Sequence, residues 1–394
     1  MSASKKNIGV LLSLIICLAL AFVALAPSQL VAATEPFKVK AATSLNAPAV
    51  DPDGYVTFSL NAPEANEVYL YFQNQTGPSP AADAFPMIMG DDGVWSITMG
   101  PLAPDMYGYD FIVDGVNIVD PTNTHSGPGT VDALWTGDPT TWSTVNAWSY
   151  VTVPGPEADF FADKNVPHGA VATVRYFSEV AQTERMLQVY TPPGYGKDNR
   201  VYPVIYIMHG AGGNETDWII NMRANFILDN LIAEGEAVPM ILVSANGYVT
   251  DNYIVDFTED LLGSIVPYIE ANYRAETNPK GRALAGLSLG GIWTTNTVFS
   301  HPGEFAYVGV FSSGFFSSTA FPESLLANPE INKRTKLLWF SSGDQTDITY
   351  NLTMSTLALL DEYGINYTFE QYTGGHIWGQ WRHNFYDFAP LLFK

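Results

Sequence analysis

A serine framed by glycines constrains this chain more than any other feature. Gly286-Leu287-Ser288-Leu289-Gly290-Gly291 stands between a short apolar stretch at 282–286, which reads as a strand, and a segment with helical spacing. A strand that turns at once into a helix needs small neighbours, because side chains flanking so sharp a turn would collide. Such a turn leaves the hydroxyl alone above the sheet, with the next backbone N–H groups open. The surroundings fit. After residue 170, apolar runs at 202–208, 240–244, 282–286, 307–311 and 336–340 alternate with helical patterns at 256–274 and 349–363, the last stopping at Gly364. Alternation of this kind predicts an α/β unit: a largely parallel sheet with helices on both faces.

A serine hydroxyl becomes a strong nucleophile only when a base takes its proton. In this arrangement the base follows the serine in the chain, with an acid between them. His376 lies in Thr373-Gly374-Gly375-His376, a loop after an apparent strand at 367–372, where a base is expected. His383 lies within an amphipathic helical stretch and reads better as a helix-surface or capping residue. Asp344 and Asp347 both follow the strand ending at Phe340. Either could orient the imidazole, and either could serve only as a turn residue or helix cap, so the residues alone leave both open. An oxyanion needs N–H donors, expected from Leu289 and from Ala211 in His209-Gly210-Ala211-Gly212-Gly213. His209 itself reads as a structural histidine bonded to local backbone. Trp218, Trp293, Phe315, Phe316 and Trp378 lie near these loops in sequence. They are expected either to line an apolar slot for an aromatic acyl group or to belong to the core.

Upstream, 51–151 reads as all-β. Runs at 55–60, 67–72, 93–98 and 107–113 are rich in β-branched and aromatic residues, with turn signals at Asp91-Asp92-Gly93 and Asp114-Gly115. Short strands at this spacing predict a β-sandwich over 34–152. Trp95 is expected between its sheets, whereas Trp135, Trp142 and Trp148 are candidates for stacking on sugars. Residues 153–169, rich in proline, glycine and charge, read as a linker to a catalytic unit over 170–394.

Residues 1–33 have the pattern of a cleaved signal peptide: Lys5 and Lys6, an apolar run, then Val31-Ala32-Ala33 at the expected cut. An uncleaved anchor is the alternative. Cys17, the single cysteine, lies in that run, so disulfides, thiol catalysis and thiolate metal sites are not expected. The chain is read as secreted or periplasmic, with no stable membrane association after cleavage. Across 394 residues, 18 Lys+Arg face 40 Asp+Glu, a formal charge of −22. That balance excludes nucleic acid as a partner and disfavours strongly anionic substrates.

Together these motifs resemble the esterase D-like superfamily, and within it carbohydrate esterase family 1, which holds feruloyl and acetylxylan esterases. The resemblance rests on His209-Gly-Ala-Gly-Gly213, Glu215-Thr-Asp-Trp218, Asp229-Asn-Leu-Ile-Ala-Glu-Gly235, Gly286-Leu-Ser-Leu-Gly-Gly291 and Gly374-Gly-His-Ile-Trp378. It implies an α/β-hydrolase fold, no cofactor and no metal, and a secreted serine ester hydrolase acting on plant cell-wall polysaccharide esters or small aryl esters. By position, Ser288 is then the nucleophile, His376 the base, and Ala211 and Leu289 the oxyanion donors. The family's acid position holds Thr346 here; counting back from Gly364 favours Asp347, with one residue inserted after Gly343. Ferulate release is the expected activity, with acetylxylan, aryl or polyester hydrolysis, or acyl transfer by the same triad, as alternatives. The first unit resembles the immunoglobulin-like, family 48 glycan-binding modules that precede such esterases.

Overall fold

The computed structural model describes residues 48–74, 81–128, 147–197, 199–315 and 323–394. The expected signal peptide, Trp135, Trp142 and Phe316 lie outside the described residues.

The first unit comprises β1 (Ala49–Val50), β2 (Val56–Asn61), β3 (Val68–Asn74), β4 (Ala81–Pro86), β5 (Ile88–Met89), β6 (Val94–Met99), β7 (Met106–Val113), β8 (Val116–Ile118), β9 (Ser126–Pro128) and β10 (Ala147–Thr152). They form two sheets, ordered β1-β2-β6-β5 and β4-β3-β7-β10-β9, with β8 pairing β7. Period-two burial makes the core between them. Phe58 and Leu60 of β2 and Ile97 of β6 join Leu70 and Phe72 of β3 and Tyr109 and Phe111 of β7. Trp95 lies in this core, as expected, and donates its indole N–H to the Ala62 carbonyl at 2.9 Å.

Asp110 alternates with Tyr109 and Phe111 on β7 and is almost fully buried. Burial pushes its carboxyl up to about 8, only partly offset by a hydrogen bond from the Ser149 backbone. A carboxyl raised in the folded state contributes its full stability below the ordinary carboxylate range and loses it as pH climbs toward 8. Asp110→Asn is therefore expected to raise the unfolding free energy at pH 9 by about 2–5 kcal/mol and to change it little at pH 4. Urea unfolding at both pH values checks this; equal effects at both would refute it.

The second unit is an eight-stranded sheet, β11-β12-β14-β13-β15-β16-β17-β18. Its strands are β11 (Ala170–Ser178), β12 (Thr183–Thr191), β13 (Val204–Met208), β14 (Ile241–Ala245), β15 (Arg282–Leu287), β16 (Tyr307–Phe311), β17 (Leu337–Ser342) and β18 (Thr368–Gln371). From β14 to β18 neighbouring strands are parallel; β11 and β12 form an antiparallel hairpin beside β14 that the alternating pattern did not announce. The helices are α1 (Asp217–Ile220), α2 (Ala224–Glu234), α3 (Tyr253–Asp260), α4 (Val266–Asn272), α5 (Leu289–Ser300), α6 (Glu323–Leu326), α7 (Glu330–Arg334), α8 (Tyr350–Glu362) and α9 (Trp378–Phe388).

Residues of β13 show how the layers form. Val204, Tyr206 and Met208 pack on one face with Phe257, Trp293, Phe299 and Leu360. Ile205 and Ile207 pack on the other with Trp218, Leu228, Phe385 and Phe388. Both faces are buried, which explains the unbroken apolar run. The helix expected over 256–274 is interrupted by a π turn at Leu261–Ile265, beside Pro267, which has no N–H for the regular ladder.

Residues 153–169 form a packed strap. Pro156–Phe161 makes a 3₁₀ turn with Phe161 buried. Asn230 donates to the Phe160 and Ala162 carbonyls, both at 3.0 Å, and Arg223 Nε donates to the Phe161 carbonyl at 3.1 Å. Proline and glycine suit a tight turn as well as a free tether, so composition alone misread the stretch. Trp148 is likewise no sugar platform: it stacks on Tyr71 at 5.3 Å and is buried in the core that holds Trp218 and Trp381.

Candidate active site

Ser288 sits between β15 and α5 with φ 51° and ψ −119°, a backbone region that favours glycine. The glycines around it are dictated by contact. A Cβ on Gly290 would lie 2.5 Å from the Met208 and His209 carbonyl oxygens, and one on Gly286 would strike the Gly290 backbone. Because β15 runs parallel between β13 and β16, the serine emerges at the carboxyl end of the sheet, beside the loop that follows β13.

His376 Nε2 lies 2.9 Å from Ser288 Oγ, and its Nδ1 lies 2.9 Å from Asp347 Oδ1. Asp347 also accepts hydrogen bonds from the Thr349 N–H at 2.9 Å, the Thr349 hydroxyl at 2.8 Å and the Gly343 N–H at 3.2 Å. Burial pushes its carboxyl up. The hydrogen bond and charge of His376, with help from Thr349 and Ser312, outweigh burial and hold it well below the usual carboxylate range. The carboxylate is thus ionised and aimed at the imidazole.

Asp344 does a different job. Its Oδ1 accepts from the Thr346 N–H at 2.8 Å and the Thr346 hydroxyl at 2.6 Å, and its Oδ2 accepts from the Gly374 N–H at 2.8 Å. It ties the histidine's loop to the loop after β17 without touching the ring. His383 lies away from the serine, half-buried, its ring 4.5 Å from that of Phe160.

The loop expected to supply an oxyanion donor is organised by His209, which is fully buried. The Gly247 N–H donates to its Nε2 at 3.0 Å, so that nitrogen is unprotonated. Nδ1 then carries the hydrogen and donates to the Gly210 carbonyl at 2.6 Å. Holding that carbonyl fixes the plane of the Gly210–Ala211 peptide, and with it the direction of the Ala211 N–H. Burial pulls the His209 pKa down to about 4 against the opposing Gly210 bond, which keeps the ring neutral. The Gly212 N–H donates to the Tyr248 hydroxyl at 3.0 Å. Tyr248 went unread in the sequence; its only signal is its place just after β14, where loops of such sheets carry ligands. Leu289 opens α5, whose first N–H groups have no acceptor within the helix.

The aromatic slot expected from Trp218, Trp293, Phe315 and Trp378 is not built by those residues. All four are buried, Trp218 and Trp293 completely. Trp218 packs between Phe311 and Phe385, and Phe315 on Phe299. Trp293 presses from below on His209 and Phe257. Trp378 packs on Trp381, whose ring stands perpendicular to that of His376 with the centroids 4.8 Å apart. All four rings belong to the buried cores on the two faces of the sheet. Among the described residues, no group of three or more His, Cys, Asp or Glu side chains could hold a metal ion.

A parallel sheet with a serine on its central turn, a histidine behind it and a carboxylate behind that defines the class of α/β serine hydrolases. The Esterase family model matches residues 178–392, and the chain belongs to that family of carboxylic-ester hydrolases. An endo-1,4-beta-xylanase/feruloyl esterase from Xylanibacter ruminicola is 32% identical over 314 residues, covering 76% of this chain and 39% of that protein. Endo-1,4-beta-xylanase Y from Acetivibrio thermocellus is 25% identical over 236 residues, 53% of this chain and 22% of that one. The chain thus spans well under half the length of either relative. Among solved structures, a ferulic acid esterase from Anaeromyces mucronatus shares the fold with a TM-score of 0.54 at 23% identity, covering 60% of this chain and 95% of its own. An enterochelin esterase from Shigella flexneri has a TM-score of 0.59 at 16% identity and covers 88% of this chain and 95% of its own, so that likeness takes in the β-unit.

Proposed function

We propose that the chain releases ferulate or a related hydroxycinnamate from plant cell-wall polysaccharide by an acyl-enzyme route. The observation that carries the mechanism is the unbroken hydrogen-bonded line from Asp347 through His376 to Ser288. Ser288 Oγ attacks the ester carbonyl as His376 Nε2 takes its proton. Asp347 stabilises the imidazolium that forms. The Ala211 and Leu289 N–H groups receive the developing oxyanion. His376 then gives the proton to the departing sugar oxygen, leaving the acyl group on Ser288. Water, deprotonated by the same histidine, attacks that ester; the acid leaves and Ser288 regains its proton.

The acyl group rests on the relatives: the Xylanibacter ruminicola protein is named a feruloyl esterase, and its likeness runs through most of this chain. The same proposal takes residues 1–33 as an export signal and residues 34–152 as an immunoglobulin-like sandwich. Methyl ferulate and acetylated xylan, offered separately to the wild type, test the acyl group. Turnover of the ferulate ester should dominate; preference for acetylated xylan would replace ferulate by acetate while leaving the mechanism intact.

A further inference from the structure

Arg382 of α9 is fully buried, yet it touches none of the proposed reacting groups. One end of its guanidinium bonds the Asp105 carboxylate, which lies just before β7 in the first unit. The other end donates to the Asn221 carbonyl at 2.8 Å, at the close of α1, and the plane lies over the Phe161 ring at 4.9 Å. Asp105 is itself fixed: its carboxylate accepts from the Met106 N–H at 2.8 Å and its carbonyl from the Val153 N–H at 2.8 Å. It also rests on the first turn of α9, where a Cβ on Gly379 would lie 2.5 Å from Asp105 Oδ2. A second bond crosses the boundary nearby, from the Tyr150 hydroxyl of β10 to the Asn221 side chain.

Both contacted helices begin next to the chemistry. α9 starts two residues after His376 and carries Trp381 against its ring. α1 follows the Ala211 loop, and Asn221 Nδ2 donates to Asp217 Oδ1 at 3.3 Å, while the other Asp217 oxygen abuts Gly213. We propose that the β-unit is a built-in brace of the active site, with Asp105 as a positioning residue that sets α9, and so His376, through Arg382. The brace rests on the roles proposed for Ser288 and His376. A carboxylate and a guanidinium suit the task because their paired geometry fixes orientation as well as distance.

The test uses the full chain. Removing Asp105 alone would strand a buried cation, so the charges are removed together in Asp105→Leu/Arg382→Met, which leaves no unpaired charge in the interface. With p-nitrophenyl acetate, a variant that melts cooperatively should lose about 10- to 100-fold in kcat while KM stays near the wild-type value, because reacting groups shift but the substrate's contacts do not. Should the pair fail to fold, Arg382→Lys keeps both charges but loses the planar fork that fixes orientation, and gives the same readout. Unchanged kcat in a folded variant overturns the brace, as does a loss confined to KM. Ser288→Ala assayed alongside separates the two ideas. If it is active, the triad falls and the positioning role with it. If it is inactive while the pair variant is fully active, only the brace falls.

Discussion

Replacing Ser288 by alanine is expected to lower kcat for p-nitrophenyl acetate by about 10⁴-fold or more. The hydroxyl is the group that His376 Nε2 faces at 2.9 Å, and alanine offers nothing to deprotonate. Alanine keeps the Cβ and therefore the same backbone demands at φ 51°, so the variant should fold as the wild type does. Two measurements separate lost chemistry from lost structure: thermal unfolding, which should move little, and substrate binding by equilibrium methods, which should persist. The burst of p-nitrophenol that reports an acyl-enzyme should vanish with turnover. A variant that retains wild-type turnover would remove Ser288 from the mechanism.

Asp347→Asn should lower kcat by about 10³- to 10⁴-fold. An asparagine can turn its amide N–H₂ toward Nδ1, which then must accept. The ring proton moves to Nε2, and the nitrogen facing Ser288 can no longer take the hydroxyl proton. The carboxylate also balances the imidazolium, and the neutral amide does not. Asp344→Asn is the matched control. Its oxygens hold the Thr346 and Gly374 N–H groups, and an amide oxygen can keep part of that, so activity should fall only a few-fold. Comparable losses in the two variants would mean that loop order, rather than imidazole orientation, explains both.

What could be read from the sequence was what is local. The turn at Ser288 declares itself because its glycines are forced by contacts within a few residues and by strands with strong apolar runs. His376 follows from the same logic, standing on a glycine loop after a sheet strand. The acid was harder. Asp344 and Asp347 share one loop, and both make turn hydrogen bonds; the residues themselves left both open, the family resemblance leaned to Asp347, and the imidazole lies against Asp347. The aromatic residues misled for a different reason. Trp218, Trp293 and Trp378 all adjoin site loops in sequence, but whether a ring points into a cleft or down onto a sheet depends on helix placement that no local pattern records. Asp105 and Arg382 mark the far end of this scale, 277 positions apart and meaningful only as a pair. The strap at 153–169 was misread for a related reason, since its partners on α2 lie many residues downstream.

The backbone of Ser288 has one more consequence. A non-glycine residue held at positive φ is a standing cost of roughly 1–3 kcal/mol, which the surrounding sheet must override. Glycine at that position would relieve the cost and remove the proposed nucleophile in a single step. Directed evolution that rewards heat tolerance alone would therefore find improvement by deleting the chemistry. A screen meant to harden this enzyme must score turnover in every round, because at residue 288 robustness and catalysis call for different amino acids.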